Sequence, residues 1–201
     1  YLIIHSGANK ADFELTRPDP ANKNILLCIP AAFSSSYGDI CGFYACRGSL
    51  GNTNLVDKKI GGAIEIKSGL CRIFDSKNGD DLSVAYGEKL KTEKSSFFQQ
   101  FQVVKDGRAE GFKDKSHFQR RCIATFADGS LDIIESDSDI TFTEFGLDLV
   151  ELSVQNAIYT DMGPWSGGWY RDAKTGKRIV IGNSRMMTKD QTNWFVLKKQ
   201  L

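Results

Sequence analysis

The sequence predicts an α+β fold, mostly antiparallel, with a curved mixed sheet and a few packed helices in a single domain. Three observations carry this. Short apolar runs of strand length, bounded by turn residues, recur through the first two thirds of the chain. Compact turn signals such as Asp106-Gly107 and Asp128-Gly129 separate neighbouring runs. The apolar spacing then switches once to a helical period, from Phe142 to Leu152.

Taken in order, Tyr1 to Ile4 reads as a strand, and Phe13 to Thr16 alternates weakly before the Arg17-Pro18-Asp19-Pro20 loop. Ile25 to Ile29 is a continuous apolar run, hence a buried strand, and it opens through Pro30-Ala31-Ala32-Phe33 into Ser34-Ser35-Ser36. Gly42 to Cys46 reads as a strand followed by a turn at Gly48 and Gly51-Asn52. Gly62 to Ile66 and Cys71 to Phe74 flank Lys67-Ser68-Gly69 as a hairpin, and Asp75 to Asp81 is polar. Phe101 and Val103 alternate with Gln100 and Gln102 ahead of the Asp106-Gly107 turn, and Arg121 to Phe126 pairs with Leu131 to Ile134 across Asp128-Gly129. Phe142, Phe145, Leu149 and Leu152 form one helical stripe behind Thr141-x-x-Glu144, the pattern of a capping box. Ile179 to Ile181 and Trp194 to Leu197 supply closing strands.

Composition narrows the function classes. With 201 residues and 41% apolar content the chain can bury a substantial core. Lys plus Arg number 26 against 25 Asp plus Glu, so no global field draws nucleic acid, which is not an expected partner. No apolar run reaches the roughly 18 residues needed to span a bilayer, and the amino terminus has no basic-then-apolar leader. A chain starting at Tyr1 without Met reads as mature or trimmed. Five cysteines leave at least one unpaired within the chain; Cys28 and Cys122 lie in apolar runs and read as core, whereas Cys41 and Cys46 are compatible with a local disulfide or with none. With only His5 and His117, a zinc site of ordinary spacing is not predicted, nor is any metal or cofactor. Oligomeric state is left open.

The stretch with the most chemistry runs from Asn156 to Asp172. Ala157-Ile158-Tyr159 reads as a buried strand that stops at Asp161, a carboxylate followed by Gly163-Pro164 and Gly167-Gly168. Trp165, Trp169 and Tyr170 crowd the same glycine-rich segment. Two readings are open: a sugar site in which a carboxylate is ringed by aromatic faces, or a turn cap beside aromatics that close one end of the core.

Gln119-Arg120-Arg121-Cys122-Ile123-Ala124, then Asp128-Gly129, then the helix, then Asn156 through Asp161-Met162-Gly163, stand in an order that resembles the phosphodiester glycosidase family. That domain occurs in the mammalian enzyme that removes N-acetylglucosamine from phosphomannose and in many bacterial envelope and phage proteins. Arg120 matches the family arginine, Asp161 its aspartate and Gly163 one of its glycines; upstream, Pro30-Ala31-Ala32-Phe33 falls on a family Asn-Gly-Gly-Phe-Phe segment. Trp165 to Asp172 and Gln191-Thr192-Asn193-Trp194 are similar to gut-bacterial members.

The resemblance implies one such domain over residues 1–201 and a hydrolase acting on a sugar-1-phosphodiester of an envelope polymer or host glycan, in the cell envelope or secreted. Arg120 would clamp phosphate oxygens with its planar fork, and Asp161 would work beside the anomeric carbon. Gly163, Trp165, Gly167, Gly168, Trp169, Tyr170, Arg185 and Asn193 are the substrate-binding candidates. Arg121 falls on the opposite strand face as a structural residue, unless a one-residue slip exchanges it with Arg120. Asp172 is expected only to pair with Arg171, and His117 to be structural. Pro30, Ala124, Met162 and Pro164 depart from the family pattern, and Pro164 lacks the N–H that a phosphate-binding glycine loop would offer. The alternative is a non-catalytic glycan-binding module on the same scaffold.

Overall fold

The structure, a computed structural model, describes residues 1–200. The first third contains β1 (Leu2–His5), β2 (Lys10–Glu14), β3 (Ile25–Pro30), β4 (Tyr44–Cys46) and β5 (Ser49–Gly51). The hairpin β6 (Gly62–Lys67) and β7 (Leu70–Asp75) follows, then α1 (Val84–Glu93), β8 (Ser96–Gln100), β9 (Gln102–Lys105) and β10 (Arg108–Ala109). The last half holds β11 (Arg121–Thr125), β12 (Leu131–Glu135), α2 (Phe142–Glu151), β13 (Asn156–Tyr159), β14 (Gly168–Arg171), β15 (Arg178–Ile181) and β16 (Trp194–Lys198).

The α+β class stands, and the ladders are antiparallel, but the strands are divided among three sheets rather than gathered in one curved mixed sheet. Sheet 1 runs β1-β12-β11-β13-β9-β10, sheet 2 runs β15-β14-β3-β16-β2, and sheet 3 runs β5-β4-β8-β6-β7. One face of each sheet meets the others in a shared core: Ile123, Ile133 and Ile158 from sheet 1, Phe13, Leu27, Ile29 and Phe195 from sheet 2, Ile64, Ile66 and Phe98 from sheet 3. Residues one step away in sheet 1, Cys122, Ala124, Ile134 and Ala157, point to the other face and are covered by Phe142, Phe145 and Leu149 of α2. α2 carries the expected capping box, with Thr141 Oγ1 accepting from Glu144 N at 3.1 Å and Glu144 Oε2 accepting from Thr141 N at 2.9 Å. Leu152, expected on its stripe, instead ends the helix half in solvent.

Several elements depart from the sequence reading, among them β5, which lies where a turn at Gly48 and Gly51-Asn52 is expected, and β8, which is not expected. α1 has few apolar residues and buries only Gly87 and Leu90, so its stripe is too thin to stand out. β14 was hidden by its glycines: a Cβ on Gly168 would lie 2.8 Å from Cys28 O of the adjacent β3, so this glycine serves close strand packing rather than a loop. Gln100 and Gln102, which alternate with Phe101 and Val103, are buried as well. All five cysteines are free thiols. Among the described residues no helix is long and apolar enough to cross a membrane.

A buried ion pair between neighbouring strands of sheet 1, Arg121 of β11 and Glu135 of β12, bonds onward to the loops beside β14 and β15 of sheet 2. Arg121 is fully buried, its Nε donates to Glu135 Oε2 at 2.6 Å, and its Nη2 donates to Ser166 O at 2.8 Å. Glu135 Oε1 in turn accepts from Gly182 N at 3.4 Å and from Gln119 Nε2 at 3.1 Å. Removing one partner leaves a charge stranded in the interior, so Glu135→Ala should lower unfolding stability by about 3–5 kcal/mol. Asp80→Asn, which breaks the exposed Lys58–Asp80 pair, should cost less than about 1 kcal/mol. Urea titrations of both variants check this, and equal small losses would contradict the assignment.

Candidate active site

Three strand ends meet where sheet 1 abuts sheet 2. The register sets Trp194 of β16 opposite Pro30 of β3, so Gln191–Asn193 and Ala31–Ser34 are neighbours. In sheet 1, Cys122 lies opposite Tyr159, which brings Arg120 beside the exit of β13. The backbone bond from Asp161 N to Ala31 O, 3.1 Å, ties the two corners together.

Asp161 is 2% exposed. Its Oδ2 accepts from Ser34 N at 3.0 Å and lies 3.4 Å from Gln191 Nε2. Behind it, Ser34 Oγ donates to Gln191 Oε1 at 3.1 Å, Asn193 Nδ2 donates to Ser34 Oγ at 3.1 Å, and Asn193 Oδ1 accepts from Ala32 N at 2.6 Å. The carboxyl is therefore fixed in place yet removed from water. Burial outweighs the bonds from Ser34 and Gln191 and pushes its pKa up to about 7.

Asp161 opens on a cleft of about 470 Å³ lined by Phe33, Phe101, Phe112, Asp114, Phe118, Arg120, Phe142, Tyr159, Met162, Gly163 and Pro164. That volume falls in the range of small-molecule sites. The rings form a continuous cluster: Phe33 lies edge-on to Phe101 with centroids 5.8 Å apart, Phe112 stacks on Phe142 at 4.4 Å, and Phe142 meets Tyr159 at 4.7 Å. Phe33 and Phe118 are 38% and 52% exposed, leaving free apolar faces at the surface. Burial also lifts the Tyr159 phenol to about 12, so it stays neutral.

The Arg120 guanidinium lies 3.8 Å from the centroid of Phe142. Its Nε donates to Ile140 O at 3.1 Å and its Nη2 donates to Ser116 O at 2.8 Å, with Ser116 Oγ at 3.4 Å. Nη1 makes one long contact, 3.5 Å, to Tyr159 Oη. The fork expected to hold two phosphate oxygens is thus turned onto protein acceptors, and Nη1 is the edge with an N–H to spare. Arg121 lies in the buried ion pair described above, so the two arginines divide as the strand alternation suggested.

Of the sequence candidates, Asp161, Arg120 and Gly163 line the cleft, and Asn193 braces Asp161 from behind. Gly163 has φ +64° with nothing within 4 Å of a Cβ position, so its conformation rather than space calls for glycine. The remaining candidates lie elsewhere. Trp165 is buried in a short 3-10 turn, and Trp169 packs with Cys28, Trp194 and Val196 in the core. Tyr170 lies in β14 against the central core, and Gly167 and Gly168 pack against Thr188 and β3. Arg185 folds back to Gly182 O at 2.8 Å. Asp172 bonds Thr175, while Arg171 donates to Pro20 O and Ile25 O, so the expected Arg171–Asp172 pair is replaced by separate partners. His117 is exposed. The aromatic wall comes from residues not nominated from the sequence; isolated phenylalanines such as Phe112 and Phe118 in an otherwise polar loop were the available signal.

No family model and no curated protein matches this chain. Solved structures do resemble it. The catalytic domain of zebrafish N-acetylglucosamine-1-phosphodiester alpha-N-acetylglucosaminidase, auto-inhibited by its pro-peptide, matches with a TM-score of 0.66 and 10% identity over 96% of this chain and 73% of that one. A hypothetical protein from Synechocystis matches with a TM-score of 0.59 and 10% identity, over 98% of this chain and 59% of that one. At such identity the likeness is one of fold, and it is a distant relationship.

The raised pKa has a stability consequence. Because the folded value lies above the ordinary 3.8, the native state holds a proton that the unfolded chain releases between about pH 4 and 7. Stability therefore falls as pH rises through that window and levels off above it. Asp161→Asn should abolish this fall and exceed wild type by roughly 2–4 kcal/mol at pH 8. Urea unfolding at pH 4.5 and 8 measures it, and parallel pH profiles for the two proteins would refute the buried-acid assignment.

Proposed function

We propose that this protein is a hydrolase that releases a sugar from a sugar-1-phosphodiester drawn from an envelope polymer or host glycan. The observation that carries the reading is the buried, hydrogen-bonded Asp161 facing an aromatic cleft that also holds the Arg120 cation. The fold likeness to a phosphodiester glycosidase catalytic domain supports it at a distance.

The chemistry follows from the residues. A sugar-1-phosphodiester loses a phosphate monoester, already a stable anion, so cleavage of the anomeric C–O bond needs modest proton assistance and compensation of negative charge. Asp161, which carries a proton near neutrality, is suited to donate to the departing phosphate oxygen. Oδ2 is engaged by Ser34 and Gln191, so Oδ1 is the oxygen for the substrate. Arg120 offers its charge and an Nη1 N–H rather than a two-pronged clamp. The exposed faces of Phe33 and Phe118 suit the C–H face of a pyranose.

A second reading, a glycan-binding module, draws on one observation: most of the Arg120 fork is already committed to protein carbonyls. The two separate in a panel of α- and β-linked sugar-1-phosphodiesters that includes N-acetylglucosamine-phosphomannose. The hydrolase reading expects sugar release, with kcat reduced about 10²–10⁴-fold in folded Asp161→Asn, and reduced also in Arg120→Ala. Saturable binding of these compounds with no release by wild type would favour the module.

A further inference from the structure

We propose that Asp114 is the second carboxylate of this cleft and acts as the base for the attacking water, a role that rests on the hydrolase reading above. Asp114 belongs to the loop between β10 and β11 and lines the same cleft as Asp161 and Arg120. Its carboxylate is held at both oxygens by one residue: Oδ1 accepts from Ser116 N and Oδ2 from Ser116 Oγ, each at 2.8 Å. Ser116 is itself bound to the cleft cation, because Ser116 O accepts from Arg120 Nη2 at 2.8 Å. Asp114 is thus fastened through Ser116 to the arginine rather than left to swing in solvent.

The two carboxylates have opposite surroundings. Asp161 is buried and holds its proton to about pH 7. Asp114 is open to water, and the Ser116 bonds, aided by the Arg120 charge, keep its carboxyl below the usual range. Two carboxyl groups in one cleft whose proton affinities are driven apart form the arrangement that acid and base roles require. A weak base is adequate here, since a water attacking an oxocarbenium-like carbon grows acidic as the new C–O bond forms.

The water oxygen bonds to the anomeric carbon and gives one proton to Asp114. The anomeric C–O bond breaks with its electron pair moving to the phosphate oxygen, and Asp161 delivers its proton there. The products are the free sugar and a phosphate monoester, and the two aspartates return to their starting states by proton exchange with solvent. Attack by water opposite the leaving group inverts the anomeric centre.

The test uses whichever panel substrate wild type hydrolyses, followed by proton NMR of the first-formed anomer. Asp114→Asn should fold as wild type, since its side chain is exposed, and should lose about 100-fold or more in kcat with KM little changed. Sodium azide, a nucleophile that needs no base, should restore turnover and yield a glycosyl azide of inverted configuration; a merely structural role for Asp114 would not give that rescue. Asp114→Asn within about threefold of wild type, or a first-formed sugar of retained configuration, would overturn the base assignment while leaving the hydrolase reading intact. Wild type inert across the whole panel would overturn the hydrolase reading and this role with it.

Discussion

The buried pair of Arg121 and Glu135 is the constraint on which the site depends. Sheet 1 contributes Arg120 and Asp161, and the sheet 2 loops that carry Ser34 and Gln191 brace Asp161, so the carboxyl keeps its place in the cleft only if the two sheets keep a fixed relation. Arg121 fastens Ser166 O, immediately after the turn that lines the cleft, and Glu135 fastens Gly182 N on the facing loop. A hydrophobic pair of equal volume could match this in stability, since desolvating two charges consumes most of their attraction. It could not hold two backbone groups at set positions. Directional bonds from a rigid guanidinium do so, which is a reason to keep a charge where burial disfavours it.

The sequence was most legible where local chemistry alone decides structure. Thr141-x-x-Glu144 forms its reciprocal bonds within one turn, and the hairpins at Ser68-Gly69 and Asp106-Gly107 turn through residues with positive φ. It was least legible where a residue type answers to a distant partner. Gly167-Gly168 looks like a loop, but the reason for Gly168 is Cys28 O on a strand about 140 positions away, a contact that tertiary pairing creates. Gln100 is likewise a polar residue whose burial has a distant reason: its Nε2 donates to Ala31 O at 3.0 Å.

The site divides along the same line. Asp161 was visible because a buried strand that stops at a carboxylate is a local pattern, whereas Arg120 was singled out by the family resemblance, and the structure places it just before β11, beside the exit of β13. The aromatic partners were not. Trp165 and Trp169 stood near Asp161 in sequence, yet a strand that runs into sheet 2 carries Trp169 into a core cluster with Cys28, Trp194 and Val196. Phe33, Phe112 and Phe118 come from two separated loops that only the fold brings to Asp161. Sequence proximity and spatial proximity agreed for the carboxylate's own strand and failed one turn later.

The absence of a glycine-rich loop like that of the family the sequence resembles and the presence of the aromatic wall have one physical meaning between them. A loop of glycines stabilises an anion by presenting several backbone N–H groups, which Pro164 cannot do and the bulk of Met162 hinders. This cleft instead sets Asp161 and Arg120 among phenyl rings. The low polarity of that wall raises the cost of charge on Asp161, which keeps its proton, and it strengthens the field of the single cation against any anion that enters. In the proposed reaction, leaving phosphate would then meet a proton and a weakly screened arginine in place of a nest of amides. The same rings that supply the binding face set the electrostatics, so changing the wall changes both at once.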